Sequence, residues 1–117
     1  MKISTMKDLL DAKVITCEEN LSRHVYSACG CDLMSDVLAY VKDQAVLLTG
    51  LVNPQVIRTA EMMDMICIVF VRSKMPTEEM IQLAEENGIV ILLTDKRLYE
   101  ACGVLYNNGL VGNKVRK

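Results

Sequence analysis

Ile66-Cys67-Ile68-Val69-Phe70-Val71, then Arg72-Ser73-Lys74-Met75-Pro76, then Thr77 and a segment with Met80, Ile81 and Ala84 ahead of Asn87-Gly88, is the stretch that decides the fold. Its apolar run is continuous rather than alternating, as expected of a strand covered on both faces. The turn that follows is polar, and Thr77 suits a helix N-cap whose oxygen accepts from a free backbone N–H. Glu78 and Glu79 sit in the first turn, where negative charge complements the helix dipole. Met80, Ile81 and Ala84 form one helical face, and Asn87-Gly88 closes the helix. The unit is strand, turn, helix.

The same unit recurs on either side. Upstream, Ala45-Val46-Leu47-Leu48 leads through Thr49-Gly50-Leu51-Val52 to Asn53-Pro54, an N-cap followed by proline at the first helical position, and a face of Val56, Ile57, Ala60 and Met63. Downstream, Ile89 to Leu93 is followed by Thr94-Asp95 as a cap, a face of Leu98, Ala101, Cys102 and Leu105, and a stop at Asn107-Asn108-Gly109. Apolar strands alternating with helices imply right-handed βαβ crossovers. The expected class is α/β: a three-layer α/β/α single domain with a mixed, mostly parallel sheet, the strands near 45–48, 66–71 and 90–93 central.

The first forty residues are less regular. Ser4 or Thr5 can cap a short helix through Met6, Leu9 and Leu10, and Lys13 to Thr16 reads as a strand. A polar loop from Cys17 to Arg23 precedes a strand from Val25 to Cys29. Asp32 then caps a helix with Leu33, Met34, Val37, Leu38 and Val41 on one face. The domain is expected to span 1–110, with 111–117 a frayed basic tail.

Composition bounds the function. At 117 residues the chain suffices for one hydrophobic core and not for two domains. With 51% apolar and 24% charged residues it is not an intrinsically disordered sequence. Thirteen basic residues against 15 acidic ones, and 4% aromatics, leave neither an electrostatic footprint nor a stacking platform for nucleic acid. The N-terminus lacks an apolar targeting region and the longest apolar run, Met65 to Val71, is too short for a bilayer, so no membrane is expected. Five scattered cysteines fit a reducing, cytoplasmic compartment.

Catalytic equipment is missing. Neither glycine-rich phosphate cradle occurs. A receiver-type phosphoacceptor would need carboxylates where Thr16-Cys17 and Cys29-Gly30 stand. Cys29-x-Cys31 has only His24 nearby as a further soft ligand, short of a zinc set, and His24 has no nucleophile or carboxylate in a triad-like pattern. No metal, cofactor or catalytic residue is expected. What remains is positional. In a parallel sheet, polar residues gather where strands end and helices begin, beside free N–H groups and partial positive charge. Thr49, Gly50 and Asn53, then Arg72, Ser73 and Lys74, then Thr94 and Asp95 fall on that edge. They form either a site for a small anion or a set of caps and solvated charges.

Leu21-Ser22-Arg23-His24-Val25, Asp32-Leu33-Met34-Ser35-Asp36-Val37, and Thr49 with Asn53-Pro54 together resemble the DRTGG domain. That domain is similar to the N-terminal domain of the HPr kinase/phosphorylase and occurs as a regulatory insert in some phosphotransacetylases and CBS-containing pyrophosphatases. Of the name-giving residues Arg23 is retained, with Ser22, Tyr26, Ser27 and Ala28 at the other positions. Asp32, Ser35 and Asp36 carry the second motif. The resemblance implies a non-enzymatic regulatory domain that dimerises and responds to nucleotide-like effectors. Three functions therefore stand: a ligand-sensing domain acting on a partner protein, a structural dimerisation or adaptor domain without a ligand, and a small phosphotransfer enzyme. The homodimer expectation also rests on apolar supply, with Met62, Met63, Met65 and Tyr26, Tyr40, Tyr99 and Tyr106 as candidate contact residues.

Overall fold

A computed structural model describes residues 1–40 and 44–111. The elements run α1 (Ile3–Leu9), β1 (Lys13–Val14), a 3-10 turn (Glu18–Asn20), β2 (Ser27–Gly30), α2 (Met34–Tyr40), β3 (Ala45–Thr49), α3 (Pro54–Met62), β4 (Cys67–Phe70), α4 (Glu78–Glu86), β5 (Val90–Leu93) and α5 (Leu98–Asn107). They build one mixed sheet of order β1-β5-β4-β3-β2, parallel except for β1. The three strands expected at the centre are there, and every residue of β3 and β4 is buried.

The winding explains the layers. From β2 to β5 each crossover steps in the same direction, so right-handed connections put α2, α3 and α4 on one face. Alternation along the strands divides the core accordingly. Leu47, Ile68, Phe70 and Ile91 pack with Val37, Ile57, Ala60 and Met80 on that face. Val46, Leu48, Val69 and Leu92 pack with Ile3, Met6, Ala101 and Leu105 of α1 and α5 on the other. Strand order never reverses among β2 to β5, so the crevice that such a reversal opens does not form there.

Several local expectations are corrected. Helix α1 starts at Ile3 with Lys2 as N-cap, so Ser4 and Thr5 lie inside it. The carbonyls of Arg23 and Leu21 accept from the N–H groups of Ile3 and Ser4 at 2.9 Å each, doing what a side-chain cap would do. β2 begins at Ser27 rather than Val25, because Val25 pairs with the N-terminus: its N–H donates to the Met1 carbonyl, and the Met1 amine donates to its carbonyl. β1 ends at Val14, where the Thr16 hydroxyl takes over by donating to the Ile89 carbonyl and accepting from Ile91 N–H. Asp32 is not a helix cap, and Leu33 and Leu38 are exposed rather than inward. Thr94-Asp95 does not cap α5 either: Arg97 is the N-cap and makes no side-chain cap bond, because both earlier residues bond elsewhere. Val41 and residues 112–117 of the expected tail lie outside the described residues.

Asn53 and Thr77 do cap as expected, accepting from Gln55 N–H at 2.8 Å and Met80 N–H at 3.3 Å. No helix among the described residues is long and apolar enough to cross a membrane.

Candidate functional site

The ends of β2, β3, β4 and β5 and the first turns of α3, α4 and α5 meet on one edge of the sheet, as parallel topology requires. Asp32, just beyond β2, ties this edge together: one carboxylate oxygen accepts from the Thr49 hydroxyl at 2.8 Å and from Gly50 N–H at 2.9 Å. Thr49 is fully buried, and its oxygen also accepts from Leu51 N–H at 3.1 Å. Its polar capacity is thus spent inside the protein.

Gly50 and Arg72 are in contact. A Cβ on Gly50 would lie 2.7 Å from an Arg72 guanidinium nitrogen, so the missing side chain is what lets the arginine cross the β3 end. Arg72 and Ser73 are consecutive non-glycine residues in left-handed backbone, both at φ 55°. That geometry is held from behind by backbone bonds: Arg72 N–H donates to the Lys96 carbonyl at 2.8 Å, and Ser73 N–H to the Thr94 carbonyl at 2.9 Å. The Ser73 hydroxyl donates to the Asp95 carboxylate. The buried Thr94 hydroxyl donates to the Leu10 carbonyl at 2.8 Å.

Of the expected ligand residues, the fold thus joins Thr49 and Gly50 through Asp32, Gly50 to Arg72, and Ser73 to Asp95. Asn53 is engaged as the α3 cap. Arg72 and Lys74 are exposed and make no ion pair among the described residues. Lys96 and Arg97 lie on the same edge and were missed, because reading Thr94-Asp95 as a cap put them inside a helix. The charged run Asp95-Lys96-Arg97 directly after a strand was the available signal.

The family-motif residues separate. Asp32 belongs to this edge, and Ser35 and Asp36 follow it there, exposed on the first turn of α2. Arg23 lies at the opposite edge, lining a 330 Å³ cavity with Gln44, Glu61, Asp64 and Asn87 around Met65 and Ile66. The C-terminal ends of α3 and α4 and two carboxylates surround it, so its field disfavours an anion. Nothing local in the sequence links these residues, since the chain brings them together from four separate segments.

Burial raises four of the five thiols above their ordinary value. Burial and then the Glu85 and Glu19 carboxylates push Cys17 up to about 11. Burial raises Cys29, Cys67 and Cys102 as well. Cys17, Glu19 and Glu85 offer ligand atoms within 4.8 Å of one another, but Glu85 already accepts from Cys17 N–H at 3.1 Å and faces the thiol at 3.7 Å. Cys29 and Cys31 pack towards α2, while Cys102 meets Gly30 on the other face.

The architecture is that of a DRTGG-like α/β domain. It is similar to a solved structure of the CBS and DRTGG domains of the regulatory region of Clostridium perfringens pyrophosphatase, complexed with the activator diadenosine tetraphosphate. The TM-score is 0.74 at 16% sequence identity, and the match covers 89% of this chain and 45% of that one. No protein-family model and no curated protein matches the sequence.

Proposed function

We propose that this is a non-catalytic regulatory domain of the cytoplasm. It binds a nucleotide or similar phosphorylated anion at the Gly50–Arg72 edge and transmits occupancy through dimerisation or a partner protein. The observation that carries the reading is the Arg72 guanidinium laid across Gly50, exposed and without an ion pair among the described residues, on strained backbone beside helix N-termini. Arginine presents a planar fork of donors that matches phosphate oxygens, and the first turns of α3 and α4 add partial positive charge. A nucleotide-type ligand is supported by the solved neighbour, a regulatory region complexed with diadenosine tetraphosphate of which the match covers 45%. The hydroxyls of Thr49, Ser73 and Thr94 are engaged in the fold, which supports a binding role over a catalytic one.

Isothermal titration against inorganic phosphate, ATP and diadenosine tetraphosphate tests this. The expected result is saturable binding of a nucleotide, weakened by about 1.5–3 kcal/mol in Arg72→Ala, roughly a 10- to 100-fold loss, as for a charge-assisted hydrogen bond. Gly50→Ala should displace the flexible arginine and weaken binding with little change in thermal stability, since the Cβ would meet only the far end of that side chain. Binding unchanged in Arg72→Ala moves the site elsewhere. Turnover of any bound nucleotide would overturn the non-catalytic reading.

A further inference from the structure

The 330 Å³ cavity where the parallel strands begin shares no residue with the Gly50–Arg72 edge. Its floor is apolar and buried: Met65 and Ile66 lead into β4, and Ile89 into β5. Its rim is polar. Arg23 comes from the chain ahead of β2, Gln44 from the residue before β3, Glu61 and Asp64 from the end of α3, and Asn87 from the end of α4.

Charges of opposite sign line this space without neutralising one another. Arg23 makes no ion pair with Glu61 or Asp64 among the described residues, and no hydrogen bond joins the rim side chains there. Asn87 is anchored through its amide nitrogen, which donates to the Leu83 carbonyl at 2.8 Å, so its oxygen is left for a ligand. The inventory is one cation against two carboxylates, with the C-terminal ends of α3 and α4 adding partial negative charge. A complementary molecule carries one carboxylate and two cationic groups. A metal ion or a simple diamine would leave the guanidinium unanswered, and an anion would meet both acids.

We propose that this cavity binds a free basic α-amino acid of the lysine or arginine type, its carboxylate on Arg23 and its two cationic groups on Glu61 and Asp64. The guanidinium fork matches a carboxylate in two parallel hydrogen bonds. The methylene stem lies over Met65, Ile66 and Ile89, as long charged side chains cover apolar surface elsewhere. The volume falls at the lower end of the range for small-molecule pockets. This site is independent of the nucleotide site, with other residues and the opposite net charge.

An amide chemical-shift titration of the labelled full chain with L-lysine and L-arginine at millimolar concentration tests it. Norleucine, which lacks the side-chain cation, and cadaverine and agmatine, which lack the carboxylate, are the controls. The expected result is saturable shifts at Gln44, Asp64, Ile66 and Asn87 with at least one of the two amino acids, Gly50 and Arg72 staying still, and every control binding about 10-fold or more weakly. Arg23→Gln and Asp64→Asn, both at exposed positions, should keep the wild-type melt and each weaken binding by about 10- to 100-fold. Asparagine also tolerates the left-handed backbone of position 64, at φ 54°. Arg72→Ala should bind the amino acid as wild type does, so failure here and failure of nucleotide binding are separate results. No saturable shift with either amino acid, a control that binds equally well, unchanged affinity in either rim variant, or shifts centred on Gly50 and Arg72 each overturns the proposal.

Discussion

Arg72 is the residue on which the functional account turns, and its backbone is as informative as its charge. An L-residue in left-handed conformation costs about 1–2 kcal/mol, and two in succession persist only where neighbouring structure over-determines them. The Lys96 and Thr94 carbonyls do that here. The left-handed turn lays over Gly50 a cation that makes no ion pair among the described residues. Cys17 shows the opposite economy. It too is left-handed, at φ 53°, but it is 3% exposed and its N–H is answered by Glu85. Because its folded-state value is raised from 9.0 to about 11, the stability linked to this thiol is fully present below pH 9 and is lost as pH rises through about 11. Thermal melts of wild type should therefore fall between pH 9 and 11 more steeply than those of Glu85→Gln, which removes one of the two carboxylates that raise the value. Parallel pH profiles would contradict this assignment.

Among the elements, the recurring strand–turn–helix unit was legible because each copy carries its own punctuation. Asn53-Pro54 and Thr77 act as caps, and unbroken apolar runs sit where both sheet faces are covered. The misread positions share one cause. Ser4, Thr5, Asp32, Thr94 and Asp95 are residue types that cap helices, and what diverted them was a partner distant in sequence: the Arg23 and Leu21 carbonyls for the first turn of α1, Thr49 and Gly50 for Asp32, Leu10 and Ser73 for the last two. Local spacing carries no trace of such partners. The same holds at the β1 edge, where Thr16 replaces two ladder bonds with its hydroxyl. Thr16→Val keeps the shape but leaves the Ile89 carbonyl and Ile91 N–H buried and unpaired, at about 1–3 kcal/mol for each group. Urea unfolding should register a loss of roughly 2–6 kcal/mol; a loss under 1 kcal/mol would mean that β1 is not held by this hydroxyl.

For the whole molecule, the candidate edge was readable because parallel topology alone dictates which residues meet where strands end. Its finer arrangement was not, since the crossing of Arg72 over Gly50 depends on a turn whose backbone conformation no residue type announces. The opposite edge was invisible for a related reason: Arg23, Gln44, Glu61 and Asn87 converge only once the chain between β1 and β2 has crossed beneath the sheet. Apolar supply, half of all residues, is largely absorbed by the two cores, and the accessible surface of 6610 Å² is close to the roughly 6,400 Å² expected of a monomer of this mass. The methionines divide, Met65 buried, Met63 half-buried and Met62 exposed, so they do not form one exposed patch.

The two edges of the sheet differ in charge and in which motif residues they hold, so the central claim is spatial and a residue-resolved titration decides it. An amide chemical-shift titration of the isotopically labelled chain with diadenosine tetraphosphate should move Gly50, Arg72, Ser73 and Lys96 in a saturable way, and leave Gln44, Asp64 and Asn87 still. Shifts confined to the Arg23 cavity, or no shift at any residue at millimolar nucleotide, would contradict the account.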